Sequence, residues 1–267
     1  MPNPIHILNT RIDDVTYAEA CARVRQWVGQ GGTHQIATVN PEFIMTARQD
    51  AEFAQVLRQT ALNVPDGAGV LWAAHRLGHK LRERVAGVDL MRQLCALAAA
   101  QTWRVFFLGA APGVAEQAAA KLAFEYPGLV VAGTHAGSPR LEDEPEIVAK
   151  IRHAAPQLLF VAYGAPAQDK WLARNLPLFP PLPSPVGWHG EGPGVRAEEA
   201  ARKLGCVGMG VGGSFDYIIG LQQRAPPALQ RAGLEWLHRL LRDPKRWRRQ
   251  LRAAPFFALV LLESFKK

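Results

Sequence analysis

Apolar residues fall along this chain in short continuous runs, separated by longer stretches in which they recur every three or four positions. The runs IATVN (Ile36 to Asn40), ALNVP (Ala61 to Pro65), RVFFLG (Arg104 to Gly109), LVVAG (Leu129 to Gly133), QLLFVAYG (Gln157 to Gly164) and CVGMGVG (Cys206 to Gly212) predict buried strands. Helical spacing occupies Tyr17 to Val28, Glu42 to Gln59, Gly67 to Leu77, Val88 to Ala100, Gly113 to Tyr126, Glu144 to Ala154 and Gln168 to Leu176. Repeated alternation of strand and helix predicts an α/β fold, a Rossmann-like and mostly parallel sheet with helices on its faces.

Two stretches break the rhythm. Asn175 to Gly194 is too rich in proline and glycine for the interior of a strand or helix, and reads as a loop or linker, with Val195 to Leu204 a short helix behind it. After Gly220, Leu229, Gly233, Trp236, Leu237, Leu240 and Leu241 keep helical spacing with a basic opposite face. Asp243 and Pro244 punctuate that helix, and Pro244 suits the first turn of another. The expected organisation is therefore an α/β domain over 1–222, with a Pro- and Gly-rich insertion at about 177–203, and a helical appendage over 223–267.

Charge sharpens this division. Arg224 to Lys267 holds eleven Lys and Arg against three acids, which leaves 20 basic and 20 acidic residues in the preceding 223 positions. The body is neutral and the tail carries the whole formal excess of +8. The tail's arginines interleave with Trp and Leu, the mark of a helix lying on an anionic membrane surface, with Arg246, Trp247, Arg248, Arg249, Phe256 and Phe257 as its lipid-facing candidates. No stretch reaches the roughly 18 apolar residues of a spanning helix, and the best, Pro255 to Phe265, is too short. The opening MPNPIHILNTRIDD lacks the pattern of a secretory signal, so a cytoplasmic, peripheral location is expected. Cys21, Cys95 and Cys206 are odd in number, widely spaced and set among apolar neighbours, as small buried hydrophobes in a reducing compartment would be.

Ligands of parallel sheets bind outside the carboxyl ends of the strands, so polar residues that close an apolar run are weighed first. Thr38 and Asn40 close the first run, Asp66 the second, and Gln168 follows the fifth. Asp66 could cap the helix that follows it or serve as a general base. LGAAPG, with Gly109, could present helix amides to a phosphate or be an ordinary tight turn; it lacks the full GxGxxG pattern and a Walker lysine. Arg84 could neutralise a diphosphate or be surface charge, and Gln168 could bond a sugar or simply begin a helix. His75 and His79 have metal-pair spacing, but no glutamate follows His75, and no Asp-x-Asp occurs. No metal is expected, and no cofactor.

The ordered set TVNPEF, NVPDGAGVLWA, RVAGVDL, FFLGAAPGVAEQAA, VAYGAPAQDKW, GVGGSFDYIIG and RAPPALQRAGLEWLHRLLRDPKRWRRQ resembles the WecG/TagA/CpsF family of bacterial glycosyltransferases, glycosyltransferase family 26. The resemblance runs from about Ile5 to Arg252. It implies inverting, metal-independent transfer of a sugar such as N-acetylmannosamine from a UDP donor to an undecaprenyl-diphosphate-linked sugar at the inner leaflet, in cell-surface polysaccharide or teichoic acid synthesis. On this resemblance Asp66 takes the base position, Thr38, Asn40 and Gln168 belong to the pocket, and Arg84 matches the family's arginine. Arg224, Arg231 and Arg239 are the candidates to close over the diphosphate when the protein meets the membrane. Relatives of this kind often self-associate through the body, so a homo-oligomer stays open. The Pro- and Gly-rich stretch departs from the family pattern.

Two other classes compete on composition. A sequence pI near 9.8 and the arginine cluster suit a nucleic-acid-binding α/β protein. Against that, Trp236, Trp247, Phe256 and Phe257 among Leu and Val suit a lipid interface better, and no nucleic-acid partner is expected. A nicotinamide oxidoreductase would need a glycine fingerprint and an acidic ribose ligand that this chain lacks.

Overall fold

The six apolar runs form one parallel sheet, and the helical stretches between them cover both its faces. The computed structural model describes residues 4–179, 182–183, 203–226, 228–229, 235–242 and 247–266. A hairpin of β1 (Ile5–Ile7) and β2 (Thr10–Ile12) precedes α1 (Tyr17–Gln30). Then come β3 (Thr33–Val39), α2 (Pro41–Gln49), α3 (Ala51–Gln59), β4 (Leu62–Pro65), α4 (Ala68–Arg76) and α5 (Gly87–Ala100). The chain continues through β5 (Arg104–Gly109), α6 (Val114–Glu125), β6 (Val130–His135), α7 (Glu144–Ala154), β7 (Leu158–Ala162) and α8 (Ala167–Asn175). A two-residue ladder of β8 (Leu182–Pro183) with β9 (Lys203–Leu204) leads to β10 (Cys206–Gly210), α9 (Ser214–Ile219), α10 (Glu235–Arg242) and α11 (Trp247–Ser264).

The sheet order is β4-β3-β10-β7-β5-β6, all neighbours parallel. Its inner strands are largely apolar on both faces, as a doubly covered sheet requires, and the edge strand β6 is half-exposed. Ile36, Val105, Phe107, Phe160 and Met209 face one layer with α1, α5, α6 and α9. Phe106, Leu108, Leu159 and Val161 face the other with α7 and α8, and Ala37 and Val39 continue that layer with α2, α3, α4 and α11. On this second face β10 presents glycine: a Cβ on Gly208 would sit 2.6 Å from Leu172 Cδ2, so the missing side chain lets α8 lie close against the central strand.

Several local expectations change. The stretch read as one helix from Glu42 to Gln59 is two, because Asp50 has extended backbone and its Oδ1 accepts from Phe53 N at 3.0 Å, ending α2 and capping α3. The hairpin β1–β2 had no turn signature in sequence; Leu8 and Asn9 both take positive φ, 48° and 68°, and only Asn9 is a residue type that favours it. Of the helix read over Val195 to Leu204, residues 195–202 lie outside the described residues, and Lys203 and Leu204 are strand.

Helix α11 is seated on the body. Phe256 and Val260 are fully buried in the cluster that holds α2 and α4, and each contributes about 1.5–3 kcal/mol of apolar burial. Phe256, expected to face lipid, is thus a core residue: on this helix the stripe of positions 256 and 260 turns inward. Its neighbours Phe257 (43% exposed), Leu261, Leu262 and Phe265 (77% exposed) stay at the surface. No described helix is long and apolar enough to cross a membrane.

Candidate active site

Because the strands run parallel, their carboxyl ends share one edge, and the candidate residues of four strands, β3, β4, β5 and β7, come to it. Asp66 directly follows β4. Its backbone N–H donates to Val39 O at 2.8 Å, and its Oδ2 accepts from Gly87 N, the first residue of α5, at 3.3 Å. The helix it was placed to cap, α4, has Gly67 at its N-cap and no side-chain cap bond. Asp66 instead meets the amide end of another helix, α5.

Thr38, on β3 opposite Val64, is buried beneath the same helix start: a Cβ on Gly87 would sit 3.1 Å from Thr38 Cγ2. Asn40 ends β3 and caps α2, its Oδ1 accepting from Phe43 N at 3.0 Å with Pro41 in the first turn. Thr38, Asp66 and the first turn of α5 therefore form one wall, with Asn40 at its rim.

The loop before α5 is fixed along its length. Arg82 donates to both carboxylate oxygens of Asp14, through its N–H at 2.9 Å and its Nε at 3.0 Å, and also pairs with Glu19 at 2.6 Å. That guanidinium holds the Glu19 carboxyl well down, at about 2. Glu83 accepts from Tyr17 N at 2.9 Å, and Val85 N donates to Pro65 O at 2.9 Å. Glu19 also completes a capping box with Thr16 at the start of α1. Arg82 and Glu83 are thus spent on α1, and Arg84 between them and Val85 reaches the other way, its Nη1 3.4 Å from Glu235 Oε2 on α10.

A second charged pair closes the group. Arg224 meets Asp89 in the first turn of α5 two-pronged, Nη1 to Oδ1 at 2.5 Å and Nη2 to Oδ2 at 3.0 Å. The Tyr17 hydroxyl accepts from Ala86 N at 2.7 Å and lies 3.5 Å from Asp89 Oδ2; burial pushes its phenol up, followed by the charges of Asp89 and Asp66. Tyr17, Arg82, Glu83, Asp89 and Glu235 were not singled out in sequence. Each is an ordinary polar residue on an ordinary helix or loop, and only the packing of α1, α5 and α10 gives it a partner here.

Gln168 and Gly109 serve the neighbouring strand ends. Gln168 is buried, and its Oε1 accepts from Gly164 N at 3.1 Å and Gly212 N at 2.9 Å, tying the end of β7 to the end of β10. Gly210 makes room for it, since a Cβ there would be 2.5 Å from Gln168 Nε2. Gly109, at φ +102°, lies so close to β7 that a Cβ would be 2.8 Å from the Ala162 carbonyl carbon, and Ala110 N donates to Ala162 O at 3.1 Å. That amide is committed to the sheet rather than offered to a phosphate. Behind Gln168, Asp169 is fully buried; among the described residues neither carboxylate oxygen has a well-formed hydrogen bond, and burial, outweighing the nearby Gln168 amide, pushes its carboxyl up to about 7.

The tail candidates are distributed differently. Arg231 and Arg246 lie outside the described residues. Arg239 belongs to α10, and Arg248 and Arg249 to α11, with side chains outside the description. Trp247 is 51% exposed at the start of α11. Phe257 packs edge-on against Trp72 of α4, ring centroids 5.1 Å apart, and Arg76 lies 5.7 Å over the Phe265 ring. Among the described residues no group of three His, Cys, Asp or Glu side chains converges to hold a metal ion.

The edge so built combines a carboxylate, two arginines and a buried polar wall, which is the equipment for deprotonating a hydroxyl beside a polyanion. Comparison with known proteins agrees in kind. The family model described as "Glycosyl transferase WecG/TagA/CpsF family" matches residues 5–188 and 195–267. The chain is 32% identical over 231 residues to a Bacillus subtilis (strain 168) protein named N-acetylglucosaminyldiphosphoundecaprenol N-acetyl-beta-D-mannosaminyltransferase, covering 86% of this chain and 80% of that relative. A protein of the same name from Bacillus spizizenii is 34% identical over 226 residues, 85% of this chain and 78% of its own. One from Staphylococcus aureus (strain MW2) is 29% identical over 265 residues, 98% and 94% of the two chains.

Proposed function

We propose the following reaction for this chain, which belongs to the WecG/TagA/CpsF family of glycosyl transferases: transfer of an N-acetylmannosaminyl group from a UDP donor to the sugar of an N-acetylglucosaminyl-diphosphoundecaprenol acceptor. The observation that carries it is the Asp66 carboxylate at the end of β4, bonded to the first amide of α5, with Arg84 carried on the loop pinned to the same strand end. Asp66 takes the proton of the acceptor hydroxyl as that oxygen attacks the anomeric carbon. The bond from that carbon to the UDP oxygen breaks on the opposite face, so the configuration inverts. A β-linked product, as in the relatives' name, is what inversion of an α-linked nucleotide sugar yields. Arg84 and Arg224 are the cations that stabilise the departing diphosphate, a task a divalent metal performs in many other transferases.

The acceptor is a lipid, and the surface of α11 supplies a place to meet it. Phe257 and Leu261 on its outer side and Phe265 just past its end recur at four-residue spacing, beside Leu262 and next to Trp72 and Arg76 of α4. Exposed aromatic and aliphatic side chains with flanking cations suit the headgroup boundary of an anionic bilayer. The enzyme thus works as a peripheral protein on the inner membrane face, in synthesis of a cell-surface polymer.

The assay that tests this reading supplies the full chain with UDP-N-acetylmannosamine and a short-chain lipid-diphosphate N-acetylglucosamine, and follows UDP release. Turnover that needs both substrates supports it. Release of UDP at the same rate with and without the acceptor would remove the transfer, and a pyrimidine or purine nucleotide other than UDP as the working leaving group would replace the donor.

A further inference from the structure

We propose that Glu235 is a resident anion on Arg84, displaced by the donor diphosphate, so that donor occupancy and the seating of helix α10 are coupled. This rests on the reading that Arg84 faces the donor's diphosphate.

The two arginines of the site are held in different ways. Arg224 is gripped two-pronged by Asp89, at 2.5 and 3.0 Å, and Asp89 belongs to the first turn of α5, a helix of the core. Arg84 meets Glu235 through one nitrogen at 3.4 Å, and Glu235 belongs to the first turn of α10, within the basic tail. The backbone that carries Arg84 needs nothing from that contact. Arg82 is fixed to Asp14, Glu83 to the amide of Tyr17, and Val85 to Pro65, on either side of it. The backbone that carries Arg84 is therefore held beside the β4 end whether or not Glu235 is there.

What Glu235 does supply is a negative charge on a cation that is only 22% exposed, from a side chain that is 13% exposed itself. A guanidinium withdrawn this far from water needs an anion, and a single carboxylate contact at 3.4 Å is the weaker of the available kinds. A diphosphate carries more charge and can take the guanidinium two-pronged. It therefore competes with Glu235 for the same donor nitrogens and wins. Once Glu235 loses that contact, the start of α10 loses one of its ties to the body. The linkage is reciprocal: whatever draws α10 away from Arg84 raises the donor's affinity by the same factor.

The sign of a binding change tests this. UDP affinity of the full chain is measured by titration calorimetry for the native protein, Glu235→Gln, and Glu235→Asp, whose shorter arm withdraws the charge from Arg84. Both variants are expected to bind UDP about five- to tenfold more tightly than the native chain. In an Arg84→Gln background the Glu235→Gln change is expected to have no effect on UDP affinity. If instead the glutamate supports the arginine's geometry, its removal weakens UDP binding, and weaker or unchanged affinity in both variants overturns the proposal while leaving the donor reading intact. A native chain and variants that all fail to bind UDP would overturn the donor reading, and the resident anion with it. Circular dichroism of both variants, which should match the native chain, separates either result from misfolding.

Discussion

Asp89 and Arg224, separated by 135 residues in the chain, meet in a two-pronged ion pair, with the Tyr17 hydroxyl 3.5 Å from the same carboxylate. The pair ties the start of the basic tail to the first turn of α5, whose leading amide holds Asp66. Arg224 is thereby aimed by a residue that has no need to touch substrate. Arg224→Lys and Asp89→Asn should each raise the donor KM by roughly tenfold, and the double variant should be little worse than either alone, because both break one interaction. Additive losses in a double-mutant cycle would show that the two side chains act separately.

Asp66→Asn removes the proposed base and keeps the side chain's size. Turnover should drop by about 10²- to 10⁴-fold while UDP affinity changes little and the melting temperature stays within a degree or two. Steady-state kinetics beside calorimetry decides it; turnover near the native rate would mean that another group takes the proton.

Gln168 has a structural duty whatever it contributes to substrate. Its Oε1 satisfies two backbone amides, so Gln168→Ala should lower stability by about 1–3 kcal/mol through the orphaned donors of Gly164 and Gly212. Chemical denaturation reads this directly, and an unchanged midpoint would show that water replaces the side chain at no cost.

Asp169 predicts how stability follows pH. Burial raises its carboxyl to about 7 from the ordinary carboxylate range, about 4, so between these values the folded chain holds a proton that the unfolded chain releases. Unfolding free energy therefore falls as pH rises from about 4 to 7, by an amount on the order of a few kcal/mol for this group alone. Asp169→Asn should flatten that part of the profile and be the more stable protein at pH 8. Melting curves of the two proteins that stay parallel from pH 4 to 8 would contradict it.

Phe256 and Phe265 should separate fold from membrane contact. Phe256→Ala leaves a cavity in the core and should cost about 3–5 kcal/mol of stability. Phe265→Glu lies at the surface beside Arg76 and should leave the melting temperature nearly unchanged while cutting flotation with anionic liposomes about tenfold. Equal flotation of native and Phe265→Glu protein would move the membrane contact off this face.

The pattern of apolar and polar positions was enough to place the sheet and the edge at which its polar residues gather. Each strand is a short apolar run closed by a polar or glycine residue, and burial between two helical layers leaves such runs few other structures, so Asp66, Thr38 and Asn40 could be placed at strand ends from pattern alone. It also determined that the tail is basic and amphipathic. The bonding partner of each polar group, by contrast, follows from packing in three dimensions. Asp66 could cap the following helix by spacing, yet it bonds the start of a helix 21 residues on, because α5 returns to the β4 end. One face of α11 is read identically at Phe256 and Phe257 by composition; the rotation at which the helix seats on α2 and α4 buries one and exposes the other. The Arg84 and Arg224 partners lie on different elements, α10 and α5, far off in sequence. Local preference acts over a few residues, whereas charge pairing acts through space, and only the folded chain brings those charges within reach.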